Sequence, residues 1–279
     1  MPLARPLRHL IRDALAVLTV GCFLFPLLWW GLTSIKPAHA IFELDAVNWT
    51  DFTPSLANYR VTLLGEGPGL FASRRAILDS LIVAVGAAAV SLLAALPAAF
   101  AFSNFGFAGR RALFLWVLFQ RVLPPIAILV PLVLIYSAAG LRDSRTGVIL
   151  AHGAANLAFA VLLLKSFLDE VPREVGEAAA LDGASPLQRF LRIDLPLTRG
   201  GIAATAVLCF IFSWTEFLMA LFLTNVNVRL LPVQLSLVVT QTWGFTAALS
   251  MASLLPAFIF VLLVQRHLVR GLTMGLGRS

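Results

Sequence analysis

Long apolar runs alternate with short polar breaks along the chain, and the runs are long enough to cross a bilayer. They cover about residues 13–34, 76–103, 112–138, 147–167, 201–223 and 247–264. Roughly 20 apolar residues span the hydrocarbon core as a helix. The pattern predicts an all-α, polytopic membrane protein with about six transmembrane helices. The first run follows Arg5, Arg8 and Arg12. A cleaved signal peptide is the competing reading, because Ala38-His39-Ala40 resembles a cleavage site. The run is longer than a usual signal core, and Lys36-Pro37 stands before those alanines, which favours a retained span.

The breaks divide the chain. Residues 1–34 form a cytoplasmic N-terminus and first span. Residues 35–75 form a polar extracytoplasmic loop with Asn48, Pro54, Asn58 and Pro68. A membrane core covers 76–270, and 271–279 are a cytoplasmic tail. Asp79-Ser80 is expected to cap the start of the second run. Pro97 inside that run is tolerable where neighbours satisfy the freed carbonyl. The third run holds Pro124, Pro125 and Pro131.

Charge sharpens this picture. The chain is 59% hydrophobic and 13% charged, about half the charged fraction of a soluble domain. Its net charge of +7 comes from basic residues at the ends of apolar runs, not from a patch interleaved with aromatics, so nucleic acid is not the expected partner. With the N-terminus inside, 13 of the 21 Lys and Arg fall on the inner side and 7 on the outer, leaving Arg121 within a span. That asymmetry puts both termini in the cytoplasm. Cys22 and Cys209 each lie in an apolar run, which suits buried thiols and gives no disulfide framework.

The stretch 169–200 is too polar to span. Pro172 suits the first turn of a short helix carrying Val175, Ala178 and Ala179 on an apolar side, and Asp182-Gly183 breaks it. Ser185 restarts a helix, with Pro186 at its first position and Gln188 completing a capping box. Leu187, Phe190 and Leu191 form one face, with Arg189 and Arg192 pointing elsewhere. Such a helical elbow suits docking into a groove on a partner, and equally suits lying flat on the headgroups.

Glu177-Ala178-Ala179, Gly183, Ile193, Leu195 and Pro196 match the pattern E-A-A-x3-G-x9-I-x-L-P in every fixed position. On these residues the chain resembles the inner-membrane permease subunits of ABC importers, whose EAA loop has this pattern. Phe212-Ser213-Trp214-Thr215-Glu216-Phe217 looks like the fifth span of maltose-type sugar permeases, although Asn is usual at Thr215. Leu123-Pro124-Pro125-Ile126-Ala127 and the tail Gln265 to Thr273 fit the same branch, as does Lys36-Pro37. The tail then departs, with Met274-Gly275-Leu276-Gly277-Arg278 where Ala-Gly-Ala-Val-Lys is frequent.

The resemblance implies a type I importer permease fold and a bacterial inner-membrane location. It implies three kinds of protein partner: ABC ATPase subunits, a second permease and an extracytoplasmic solute-binding protein. Glu177 and Gly183 would be the docking carboxylate and turn glycine of the ATPase-coupling loop. Ala178 and Ala179 would allow close approach. A sugar is the implied cargo, with glycerol phosphate or another polyol the near alternative.

Absent motifs point the same way. Neither Lys36 nor Lys165 belongs to a G-x-x-x-x-G-K-[ST] loop, so this chain is expected to bind no cofactor and to leave ATP to its partner. No H-E-x-x-H or G-x-S-x-G occurs. An intramembrane enzyme would need a cluster of reactive groups. Glu216 alone in the fifth span, Arg121 in the third and His152 with Asn156 in the fourth are a scatter. An ion-driven carrier or channel is the remaining rival.

Arg121 and Glu216 sit at membrane depth, where a charge is costly unless it faces the bundle or a watery cavity. They line a translocation pathway or form structural pairs. Trp214, Asn225, Trp243 and Gln241 offer the aromatic faces and amides that a sugar site uses. Trp29, Trp30 and Trp243 equally suit the membrane interface.

Overall fold

A computed structural model describes residues 4–41, 52–65, 73–238 and 242–274, with the side chains of 4–8, 125 and 263–274 excepted. Asn48, Pro68, Gln241 and Gly275 to Arg278 lie outside the described residues. The helices are α1 (Ala4–Ile35), α2 (Ala57–Tyr59), α3 (Ser73–Asn104), α4 (Arg110–Phe119), α5 (Pro125–Ala138), α6 (Arg145–Asp169) and α7 (Arg173–Leu181). They continue with α8 (Pro186–Arg189), α9 (Leu195–Leu197), α10 (Arg199–Trp214), α11 (Leu218–Leu223), α12 (Leu231–Val238) and α13 (Trp243–Met274). No strand occurs among the described residues, as expected for an all-α protein.

Four stretches are single helices long and apolar enough to cross a membrane: His9–Ile35, Ser73–Asn104, Arg145–Asp169 and Trp243–Leu262. The other two expected spans are broken. The third run splits into α4 and α5 because Pro124-Pro125 supplies no N–H groups and forces extended backbone, with Pro124 at ψ 125°. The fifth run splits at Thr215–Phe217. There the Glu216 carboxylate accepts the backbone N–H groups of Met219 and Ala220, each at 3.1 Å, and starts α11 afresh. The segment Pro186–Leu197 meets α10 at a 77° bend.

The chain forms two compact units. The first joins Met1–Arg74 with Leu235–Leu254. In it the buried Asn58 amide donates to the carbonyls of Ser34 (3.0 Å) and Lys36 (2.9 Å), and a side chain at Gly244 would collide with that amide. One amide therefore ties the end of α1 to the start of α13. Trp30 packs on Trp243 at 5.9 Å, and both Trp29 and Trp243 keep exposed surface. From His9 to Trp29 α1 is exposed, Cys22 included, so of the two cysteines only Cys209 is buried as expected.

The second unit comprises Arg75–Gln234 and Leu255–Ser279. Its centre is α6 against α3 and α10. Ser91 donates to the Gly153 carbonyl at 2.9 Å, and the Asn156 amide donates to that of Cys209 at 3.1 Å. A Cβ on Gly153 would press into Val90, so glycine permits the close approach of α6 and α3. Asp79 and Ser80 do not cap α3, which begins at Ser73. They lie inside the helix because tertiary partners claim them. Asp79, fully buried, takes the Arg145 guanidinium at 2.6 Å, and Ser80 accepts the Leu231 N–H at 2.7 Å.

Candidate functional site

The elbow between α6 and α10 folds as two capped helices. At the end of α7 the Ala184 N–H returns to the Ala179 carbonyl at 2.9 Å and the Gly183 N–H to that of Ala180 at 3.1 Å. This is the Schellman arrangement, and it needs a left-handed residue at Gly183, whose φ is +80°. At the start of α8 the Ser185 N–H donates to Gln188 Oε1 at 2.8 Å, and the Gln188 N–H donates to Ser185 Oγ at 3.3 Å. Both terminators lie where the sequence puts them.

What holds the elbow in place is Arg189. Its Nε lies 3.1 Å from Asp194 Oδ2, and Nη2 also donates to Asn104 Oδ1 at the end of α3. Asp194 is buried in the π-helical turn Phe190–Asp194, and any side chain at Gly176 would overlap the Arg189 guanidinium. One cation thus joins α7, the π turn and α3. Phe190 packs on Phe100 with ring centroids 4.8 Å apart. Only Phe190 of the expected apolar face turns inward. Leu181, Leu187, Leu191 and Leu197 stay exposed, Leu181 at 90%.

Two further arrangements lie deeper in the second unit. His152 Nδ1 is 2.8 Å from Ser213 Oγ, and its Nε2 is 3.4 Å from Glu216 Oε2. His152 is buried, and that Nε2 forms no well-aligned hydrogen bond, so its contact with Glu216 is one of charge and dipole. Beside this group is a cavity of about 840 Å³ lined by Trp116, Phe119, Gln120, Arg121, Tyr136 and Met219 among others. Arg121 lies over the Phe212 ring at 4.9 Å.

Residues 76–274 match the family described as the inner-membrane component of binding-protein-dependent transport systems. The chain belongs to this family. As a permease it is 32% identical, over 267 residues and 94% of either chain, to the trehalose transport system permease protein SugB of Mycobacterium tuberculosis. It is 30% identical to the sulfoquinovosyl glycerol transport system permease protein SmoH of Agrobacterium fabrum, covering 97% of this chain and 93% of the relative. Its fold is similar to a bacterial ABC transporter involved in the import of the acidic polysaccharide alginate, with a TM-score of 0.74 at 21% identity, covering 94% of this chain and 97% of that one. The permease is a transport subunit, not an enzyme.

Within the permease, Glu177, Ala178, Gly183 and Pro196 are exposed on the elbow, Ile193 and Leu195 are half-buried, and Ala179 is buried. Trp214 stacks on Phe210 at 5.6 Å in the core and does not face the cavity. Asn225 is exposed, in a loop whose backbone N–H groups from Asn225 to Val228 all donate to the Asp143 carboxylate. The structure brings Glu216 to His152, which the sequence left scattered, and keeps Arg121 apart from both in the cavity wall. Sequence reasoning missed Arg189, Asp194, Asn104 and Asp143. The Arg189–Asp194 spacing and Gly176 inside a helix are the only traces the chain carries of them.

Proposed function

We propose that this permease carries a sugar across the inner membrane, receives it from a solute-binding protein, and is driven through its 169–200 elbow by a separate ABC ATPase. The observation that carries the coupling role is the elbow itself: two capped helices pinned by Arg189, with Glu177 and four leucines turned outward. A rigid surface of exposed apolar side chains needs a partner, and a groove on the ATPase would bury it. Glu177 then meets the ATPase, Gly183 sets the turn, and Ala178 permits close approach. Ala179 supports the elbow from within, and Ile193, Leu195 and Pro196 fix its return to α10. This chain binds no cofactor of its own; ATP is hydrolysed by the partner.

The sugar reading rests on the relatives, which are named for trehalose, sulfoquinovosyl glycerol and diacetylchitobiose transport. A second permease completes the pathway. Arg121 faces that pathway, while Glu216 holds the break that shapes it. Both termini lie in the cytoplasm, which puts the elbow on the ATPase side. ATP would shift the transporter between outward and inward states by binding one of them more tightly.

The test is purification in mild detergent with the native neighbours, wild type beside Gly183→Val. Stoichiometric ATPase and a second permease co-eluting with wild type, and lost or uncoupled in the variant, support the reading. A lone, well-folded chain indifferent to the substitution overturns it.

A further inference from the structure

Arg121 is a charge deep in the second unit that no acidic side chain answers among the described residues. Two other charges in that unit have partners: buried Asp79 has Arg145, and Glu216 lies near His152 and accepts two backbone N–H groups. Arg121 has no carboxylate partner among the described residues. Its guanidinium makes one long hydrogen bond there, 3.4 Å to the Ala155 carbonyl, and lies over Phe212 and Phe159 at 4.9 and 6.0 Å. A guanidinium carries five N–H donors in a planar fork, so most of them remain available.

Its placement points to a ligand. Arg121 sits in the break between α4 and α5, eleven residues beyond the start of α4, or about 16 Å along the chain axis at ~1.5 Å per helical residue. Non-helical backbone at such depth is tolerated where it lines a water-filled cavity or is buried in protein. Here it lines the cavity of about 840 Å³, whose other walls include Trp116, Phe119, Gln120 and Tyr136. Aromatic faces suit the C–H faces of a sugar ring, and the Gln120 amide and Tyr136 hydroxyl suit its hydroxyls. The guanidinium sits over the Phe212 ring at 4.9 Å, which leaves its N–H fork available to a planar or tetrahedral oxyanion. The packing of α6 against α10 supports this wall from behind.

We propose that this cavity is a substrate subsite selecting an anionic sugar or polyol, one bearing a carboxylate, sulfonate or phosphate that pairs with Arg121. The proposal rests on the sugar-permease reading and narrows it. Charge repels a second cation from the cavity, and a neutral sugar would leave Arg121 unneutralised while the path is closed to water.

The experiment uses the whole importer, this permease with its companion permease, ATPase and binding protein, reconstituted in proteoliposomes. Uptake and ATP hydrolysis are measured with trigalacturonate and glycerol 3-phosphate against trehalose and maltotriose, with an amino-acid mixture and a short peptide as non-carbohydrate probes. Wild type, Arg121→Gln and Arg121→Lys are compared, with the isolated binding protein's affinity as a control that Arg121 cannot alter. The expected result is uptake of an acidic probe that falls about tenfold or more in Arg121→Gln and is partly kept in Arg121→Lys. Uptake of neutral probes alone, or acidic uptake unchanged in Arg121→Gln, overturns the anionic subsite and leaves the sugar reading standing. Failure of Arg121→Gln to assemble with the companion permease, with Arg121→Lys assembling, assigns Arg121 to an inter-subunit ion pair and also overturns it. Uptake of an amino acid or peptide but of no carbohydrate removes the sugar reading, and this proposal with it.

Discussion

Arg189 and Asp194 face each other across the π-helical turn of the 169–200 elbow, Nε to Oδ2 at 3.1 Å, and the acid is almost wholly buried. The pair is five residues apart in sequence, and its partners extend to Asn104 on another helix. Removing one partner of a buried pair costs more than the pair contributes, because the survivor is left uncompensated.

Arg189→Ala is therefore expected to cost roughly 3–5 kcal/mol locally and to loosen the elbow from the end of α3. Hydrogen exchange should rise across 173–198 while the spans stay protected. Transport should fall and ATP hydrolysis become independent of loaded binding protein. Wild-type coupling in the variant would show that the clamp does not serve the elbow.

At Gly183 the left-handed backbone sets the outcome. Gly183→Val should cost about 1–2 kcal/mol for the disfavoured conformation and redirect α8, abolishing transport. Gly183→Asn, which tolerates that region better, should keep a measurable fraction. Equal activity of the two variants would mean the turn plays no part in coupling.

Glu216 separates a structural from a pathway role. Glu216→Ala strands the N–H groups of Met219 and Ala220, a cost of about 1–3 kcal/mol, and should lower the melting temperature of the purified complex. Glu216→Gln keeps an acceptor and should assemble normally with most of its uptake. Loss of uptake in a well-assembled Glu216→Gln protein would instead make the charge part of the path.

Asp143, on the short loop before α6, receives four consecutive backbone N–H groups at 2.8–3.1 Å. Partial burial pushes its pKa up, but those four donors outweigh it and hold the carboxyl below its ordinary 3.8. A depressed pKa contributes stability that is complete above the unfolded value and is lost as pH falls through the lowered one. The 224–229 loop should therefore hold its order down to about pH 4 and loosen only below it. Asp143→Asn should raise amide exchange at 225–228 roughly tenfold or more at neutral pH. Unchanged exchange there would show that the loop is held by other contacts.

The sequence by itself determined what depends on near neighbours. Hydropathy placed the six apolar runs, since burial in lipid is a property of composition over some twenty residues. Pro172, Gly183, Ser185, Pro186 and Gln188 determined the elbow's caps, because capping bonds close within one helical turn. The seven-residue pattern around Glu177 led to the family. Only the tertiary structure decided that two of the six runs are broken helices, where the Pro124-Pro125 pair and the Glu216 carboxylate win over continuous hydrogen bonding. It alone decided that Asp79 pairs with Arg145 instead of capping a helix, and that His152 meets Glu216. It also decided that Arg189 turns inward to Asp194 while Arg121 stays in a cavity wall with no carboxylate partner among the described residues. The Asp79–Arg145, His152–Glu216 and Arg189–Asn104 contacts are choices of partner between distant segments. A side chain's charge and reach are written in the sequence, but which opposite group comes within 3–4 Å is settled only when the helices pack.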